Sequence, residues 1–227
     1  MSIATLVLGE SGTGKTCSLR NLDPNKCLLI QPVRKPLPFR SQDWKGHIYV
    51  TENSEKIISA MERTQAEVII VDDFQYILSE MFMARVYEKG FDKFSQIAKA
   101  GHDVCKKAST LAPEKRVYIL AHTQTGEDGT IRIKTIGKLL DDKVVLEGLF
   151  TTVLRTVVDQ NGYHFSTRNN GQDTVKSPIG LFEDSIIDND LDAVDKAICE
   201  YEGIGKEAEP DPDDPSTGSE ISESDVI

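Results

Sequence analysis

Eight residues near the start of the chain, Gly9-Glu10-Ser11-Gly12-Thr13-Gly14-Lys15-Thr16, fit the pattern G-x-x-x-x-G-K-[ST] without deviation. The spacing has a chemical purpose. Gly12 and Gly14 let backbone N–H groups converge on phosphate oxygens. A helix starting after the loop adds the positive end of its dipole. The Lys15 ammonium is placed to reach β- and γ-phosphates, and the Thr16 hydroxyl to help hold Mg²⁺. Residues Gly9 to Cys17 are therefore the candidate nucleotide-binding segment, with Lys15 also a candidate catalytic group. Further on, VIIVDD (68–73) reads as a buried strand ending in two carboxylates, of which Asp72 is the candidate second magnesium ligand. Asp73 is the first candidate to orient an attacking water. Glu10 and Glu52 are alternatives, each read more simply as a surface carboxylate. No Asn-Lys-x-Asp follows a strand, which favours ATP over GTP.

A second polar group follows the run RVYILA (116–121): His122 and Gln124. Polar side chains at the carboxyl end of such a strand can face a γ-phosphate, and Gln124 is the candidate sensor that moves the loop behind it. Lys134, Lys138 and Arg155 are candidates to act on a neighbouring subunit's nucleotide, although any one of them is more economically a solvated charge. Residues 32–46 carry three prolines, four basic residues and the aromatics Phe39 and Trp44. These are the ingredients for binding a single nucleic-acid strand, although the loop is read more simply as structured with its aromatics packed down.

The elements that must position these groups are legible as apolar runs. Residues 3–8, 27–31, 68–71 and 116–121 are continuous and rich in β-branched side chains, as strands buried on both faces are. A short strand is expected at 47–50. Helices are expected at 15–21 (stopped by Asp23-Pro24), 53–63, 75–88, 91–109, 139–150 and 190–201. Residues 125–137 suit a mobile loop or small hairpin. Asn161-Gly162 marks a hairpin between 151–159 and 163–168. The implied fold is α/β: a mainly parallel sheet flanked by helices, with an antiparallel hairpin appended at one edge.

The net charge of −11 does not advertise nucleic-acid or membrane binding. It is unevenly placed. From residue 203 onward there are eight acidic residues and one lysine, which leaves only about −4 for the body. That tail has almost no large apolar side chain, so 1–202 is expected to be the folded domain and 203–227 a disordered acidic tail. The tail is read most simply as solubilising, the alternatives being mimicry of nucleic acid and recruitment of a partner. The four cysteines (Cys17, Cys27, Cys105, Cys199) are widely spaced and suggest no zinc site; idle thiols in a reducing cytoplasm are the expectation. No apolar run approaches the roughly 20 residues that span a bilayer. The first residues lack a basic leader and read as a strand, not a signal peptide.

The phosphate loop, VIIVDD, RVYILAHTQ, and the late hairpin running into TRNNGQDTVKSP (167–178) together resemble phage-encoded RecA-like ATPases, some of them called single-strand annealing proteins of the Sak-four type. The resemblance covers roughly residues 3–183. Its Walker motifs specify a P-loop ATPase only, and the hairpin with TRNNG carries the narrower likeness. It implies a minimal RecA-like core dependent on ATP and Mg²⁺, acting in phage recombination in the host cytoplasm. The implied partners are single-stranded DNA, a single-strand-binding protein and further copies of the chain. On matching positions Lys15 and Thr16 would hold phosphate and magnesium, Asp72 magnesium, and Gln124 would resemble the RecA sensor, with 125–137 the DNA-binding loop behind it. The chain departs from that pattern where RecA-type enzymes carry a glutamate after the second strand; here the strand ends in Gln31-Pro32. The alternative class is a nucleotide-dependent assembly or partner-loading switch. A small-molecule kinase is disfavoured by the lack of a compact arginine lid.

Overall fold

The computed structural model describes residues 1–137, 140 and 143–205. Lys138 and the acidic tail from 206 onward lie outside the described residues, as do 139, 141 and 142 of the helix expected at 139–150.

The apolar runs become strands: β1 (Ile3–Leu8), β2 (Cys27–Gln31), β3 (Ile48–Val50), β4 (Val68–Val71) and β5 (Arg116–Ala121). After them come the small pair β6 (Thr123–Thr125) and β7 (Ile131–Ile133), then β8 (Thr152–Asp159), β9 (Gly162–Ser166) and β10 (Ile186–Asp188). Eight of these form one sheet in the order β10-β9-β8-β1-β5-β4-β2-β3, while β6 and β7 pair separately. The strands from β8 across to β3 are parallel, and β9 and β10 are antiparallel additions. The hairpin expected at 151–168 is therefore only half an appendage. Its first strand belongs to the parallel core, with Thr5 in register with Thr152 and Leu8 with Arg155.

Strand pleating explains why these runs are apolar throughout. Leu6 and Leu8 of β1 join one core with Val117, Ile119 and Ala121 of β5. Val7 joins a second core with Tyr118 and Leu120. Successive side chains point to opposite faces, so both sets need covering. The first face is covered by α1 (Ser54–Arg63), α2 (Gln75–Ala84) and α3 (Asp92–Ala108), which bring Ile57, Met61, Ile77, Leu78, Ile97 and Val104. The second face is covered by α4 (Leu191–Glu202), the segment after the glycine loop, and Trp44. Two of these helices start as their sequences dictate. The Asn53 side chain accepts from Lys56 N at 2.9 Å, and the Asp190 side chain from Asp192 N at 3.0 Å.

Two expectations change. The helix after the glycine loop is a 3₁₀ helix of six residues, Thr16–Asn21. It is too short to repay an α-helical nucleus, Ser18 Oγ turns back to the Lys15 carbonyl at 2.6 Å, and Pro24 keeps the chain ahead of it extended. In the described part of 139–150, the ordered turn is a 3₁₀ segment at Leu146–Leu149. Strand β10 had no expectation. It is three residues long, too short for its alternation to register.

Candidate functional site

The parallel strands β1, β5 and β4 end at one edge of the sheet, and the chain continues there as Gly9, His122 and Asp72. Ligands of α/β sheets bind at this carboxyl edge. A cavity of about 590 Å³ opens there. Ser11, Gly12, Gly14, Lys15, Thr16 and Cys17 of the loop line one wall, and Asp72, Asp73 and His122 line another.

The loop's shape depends on its glycines. Gly14 has φ +100°, in the left-handed region that side chains avoid. Gly9 packs against β8 so closely that a Cβ there would lie 1.9 Å from Thr156 Oγ1. Thr156 is itself held, by Leu8 O at 3.3 Å and by Thr13 Oγ1 at 2.6 Å. Gly9, Glu10 and Thr13 thus form the back of the loop against β8, and the residues from Ser11 onward form its cavity face.

Lys15 is 5% exposed, and its ammonium donates to the carbonyls of Gly9 (2.9 Å) and Glu10 (2.8 Å). Burial lowers its pKa, with the charges of Asp73 and Asp72 opposing that shift. The Thr16 hydroxyl lies 3.0 Å from both carboxylate oxygens of Asp72, across a gap of 56 residues in sequence. Burial, and then the neighbouring Asp73 charge, push the Asp72 carboxyl up to about 6. A buried carboxylate short of positive charge beside a hydroxyl oxygen is a donor set that fits a hard divalent cation. Among the described residues no group of three or more His, Cys, Asp or Glu side chains could hold a metal alone. A cation here would complete its shell with ligand oxygens and water, as Mg²⁺ commonly does.

Asp73 sits beside this pair in a conformation unusual for a residue other than glycine, φ +63°. It is held by two cations or potential cations: Lys35 Nζ at 2.5 Å and His122 Nε2 at 3.2 Å. Burial alone would raise its pKa, but the bonds from His122 and Lys35 outweigh it and hold the carboxyl well below the usual range. Lys35 in turn lies over the Tyr76 ring, 4.4 Å from its centroid. Asp73 is therefore a fixed acceptor of hydrogen bonds, with little affinity for a proton.

The remaining sequence candidates divide. His122 lines the cavity. Gln124 does not; it lies on β6, in register with Arg132 of β7. Glu10 and Glu52 are exposed and line no part of this cavity. Arg155 is tied within its own chain to the buried Asp173, its Nε donating to Oδ2 at 2.9 Å. Lys134 is exposed. In the 32–46 loop, Trp44 is 2% exposed and meets Phe39 edge-on at 6.2 Å. The packed-down alternative holds there, and base stacking by Trp44 is excluded by its burial.

Several residues that line the cavity were not expected at a nucleotide site, among them Arg20, Gln31, Tyr76, Tyr163 and Asn189, while Lys35 was expected only as one of the basic residues of the 32–46 loop. Gln31 stood at the end of an expected strand, the one position whose departure from the RecA pattern was visible. Tyr163 and Asn189 come from the strands beyond β8, whose placement depends on tertiary pairing. No protein-family model matches the chain, and no curated protein matches it. Among the described residues no helix is long and apolar enough to cross a membrane.

Proposed function

We propose that the chain is a P-loop ATPase with a RecA-like core, which binds ATP with Mg²⁺ on residues 9–17, hydrolyses it, and couples that cycle to single-stranded DNA in phage recombination. The observation that carries the nucleotide reading is the approach of Thr16 to Asp72 directly beside the Lys15 ammonium. A phosphate chain, a magnesium site and a cation for the terminal phosphate are what ATP hydrolysis requires in one place. Thr16 and Asp72 would hold Mg²⁺, which when bound neutralises charge on the phosphates. Lys15 would exchange the Gly9 and Glu10 carbonyls for phosphate oxygens. Asp73, fixed by Lys35 and His122, would orient the attacking water, with Gln31 on the same wall. A carboxylate held ionised serves this positioning role better than that of a strong base.

The DNA part of the reading is supported by the resemblance and by one structural connection. Strand β5 delivers His122 to the cavity, and the chain passes immediately into the β6–β7 hairpin. Lys134 N, where the chain leaves the hairpin at its base, donates back to His122 O at 2.7 Å. A shift at His122 therefore reaches the hairpin and Gln124 directly. The test is binding of a labelled single-stranded oligonucleotide with a non-hydrolysable ATP analogue, with ADP and without nucleotide, across a salt series. Tight binding that falls steeply with salt and changes with nucleotide is expected. Absence of binding in every state would remove the DNA reading.

A second reading, an assembly switch built of several copies or partners, is favoured by one feature. Tyr87 and Phe91, at the α2–α3 turn, are 97% and 85% exposed, with Met83 beside them in sequence at 58%. Large exposed apolar side chains clustered in this way mark interaction surfaces. Nucleotide-dependent change in sedimentation, abolished by Tyr87→Ser with Phe91→Ser and with no DNA affinity, would select this reading.

A further inference from the structure

We infer that Asn189 reads the base of the nucleotide and makes the site selective for adenine over guanine; the inference rests on the nucleotide reading above. Asn189 is 3% exposed and lines the cavity. Neither its Nδ2 nor its Oδ1 has a hydrogen-bond partner among the described residues. A buried carboxamide left without partners forfeits the hydrogen bonds it made to water, so such groups in native proteins call for an explanation.

The structural duties of this segment are met elsewhere. The Asn189 carbonyl accepts from Arg20 Nη1 at 2.5 Å, its N–H donates to Tyr163 O at 3.3 Å, and Asp190 Oδ2 accepts from Asn21 Nδ2 at 2.7 Å. The backbone and Asp190 thereby staple the end of β10 to the helix behind the glycine loop. The amide of Asn189 is left with no role in the fold.

Sheet order gives the cavity a direction. Strands β5 and β4, with His122 and Asp72, lie on one side of β1; β9 and β10, with Tyr163 and Asn189, lie on the other. With the terminal phosphate and its cation at Asp72, the nucleoside end of the ligand extends past Gly14 toward Tyr163 and Asn189. Both residues lean on the loop at that point. Asn189 Oδ1 and Tyr163 Cδ1 each lie 3.1 Å from where a Cβ on Gly14 would stand. Tyr163, 53% exposed, offers a ring face for stacking. The Asn189 amide thus lies against the loop at Gly14 while lining the same cavity as Lys15.

A carboxamide presents one donor beside one acceptor. Adenine matches that pair on either edge, its 6-amino group lying between two ring acceptors, and Asn is a standard bidentate partner for it. Guanine presents two acceptors, N7 and O6, on its N7 edge, so an amide that meets that edge is mismatched with it. The selectivity is therefore that of an amide set against the N7 edge, since on the N1 edge guanine's O6 beside N1–H would match as well.

The test is equilibrium binding of ATP, GTP and inorganic tripolyphosphate, each with Mg²⁺, to the full chain and to Asn189→Ala and Asn189→Asp. The wild type is expected to prefer ATP over GTP by roughly 5- to 150-fold, the discrimination one bidentate contact supplies. Asn189→Ala is expected to lose that preference while binding tripolyphosphate as before, which also shows the site is folded. Asn189→Asp, nearly the same shape, is expected to weaken ATP binding, because a carboxylate cannot donate to adenine N7. If tripolyphosphate binds but Asn189→Ala keeps the full ATP preference, or the wild type has none, the base-reading inference is overturned alone. If the wild type binds none of the three ligands, the nucleotide reading falls and this inference falls with it.

Discussion

Replacing Asp195 by alanine tests the account of how the C-terminal helix is held under the site. Asp195 of α4 accepts from Arg116 Nη2 at 2.9 Å, from Arg116 Nε at 3.1 Å and from the Tyr118 hydroxyl at 2.6 Å. The side chains of Arg116 and Asp195 are only 6% and 10% exposed, so solvent screens this pair little. Without the carboxylate, Arg116 keeps the Glu114 carbonyl at 2.9 Å and Glu67 at 3.4 Å, but Glu67 is half exposed and compensates weakly. A buried guanidinium stripped of its partner costs about 3–5 kcal/mol. At about 2–4 °C per kcal/mol for a domain of this size, that is a fall in Tm of roughly 6–20 °C. Urea denaturation and thermal melts would measure it. The combination Asp195→Leu, Arg116→Met and Tyr118→Phe removes every buried polar group together and is expected to recover most of the loss. A single-variant cost below about 1 kcal/mol, the level of an exposed pair, would refute the reasoning. So would a triple variant no better than Asp195→Ala.

What was legible in the chain, and what was not, divides by the range of the interaction. The loop glycines, the strand before them and the Asp72 strand are local patterns, and each lies where its pattern places it. The parallel sheet followed from continuous apolar runs, because Leu6 and Leu8 serve one face and Val7 the other. Partnership across the sheet was less visible. Nothing in the sequence near Thr152 says that β8 pairs with β1, and the short Ile186–Asp188 strand exists only because β9 is there to receive it. Hence Tyr163 and Asn189, which depend on those pairings, went unseen as site residues. Lys35 was read as one of several loop cations; only the fold brings it to Asp73. Trp44 shows the opposite limit, since its burial against the second core is a property of packing that composition does not carry.

Other outcomes follow from the same geometry. Gly9→Ala is expected to destabilise the chain by about 1–3 kcal/mol through overpacking against Thr156, and Thr156→Ala in the same chain is expected to recover at least half of it in a thermal melt. Asp73→Asn keeps the side chain's size but loses its charge for Lys35; ATP turnover is expected to fall by about 10²-fold or more, with ATP affinity measured separately and largely kept. Burial pushes the Cys27 thiol up to about 12 and Cys105 higher still. At pH 8 only about one Cys27 in ten thousand is then a thiolate, so Cys17 and Cys199 are expected to react with a disulfide reagent in the native protein and all four cysteines in denaturant. Raising the pH toward 12 is expected to bring Cys27 into reaction, because its thiolate fraction grows as pH climbs to the raised pKa. ATP with Mg²⁺ is expected to slow labelling of Cys17, which lines the cavity, and to leave Cys199 unaffected.

The most direct measurement of the central claim is steady-state ATP turnover by the full chain, with and without Mg²⁺ and single-stranded DNA, beside Lys15→Ala. Turnover is expected to require Mg²⁺, to rise with single-stranded DNA, and to drop by about 10²-fold or more without the Lys15 ammonium. Turnover absent under every condition, or unchanged in Lys15→Ala, would contradict that claim.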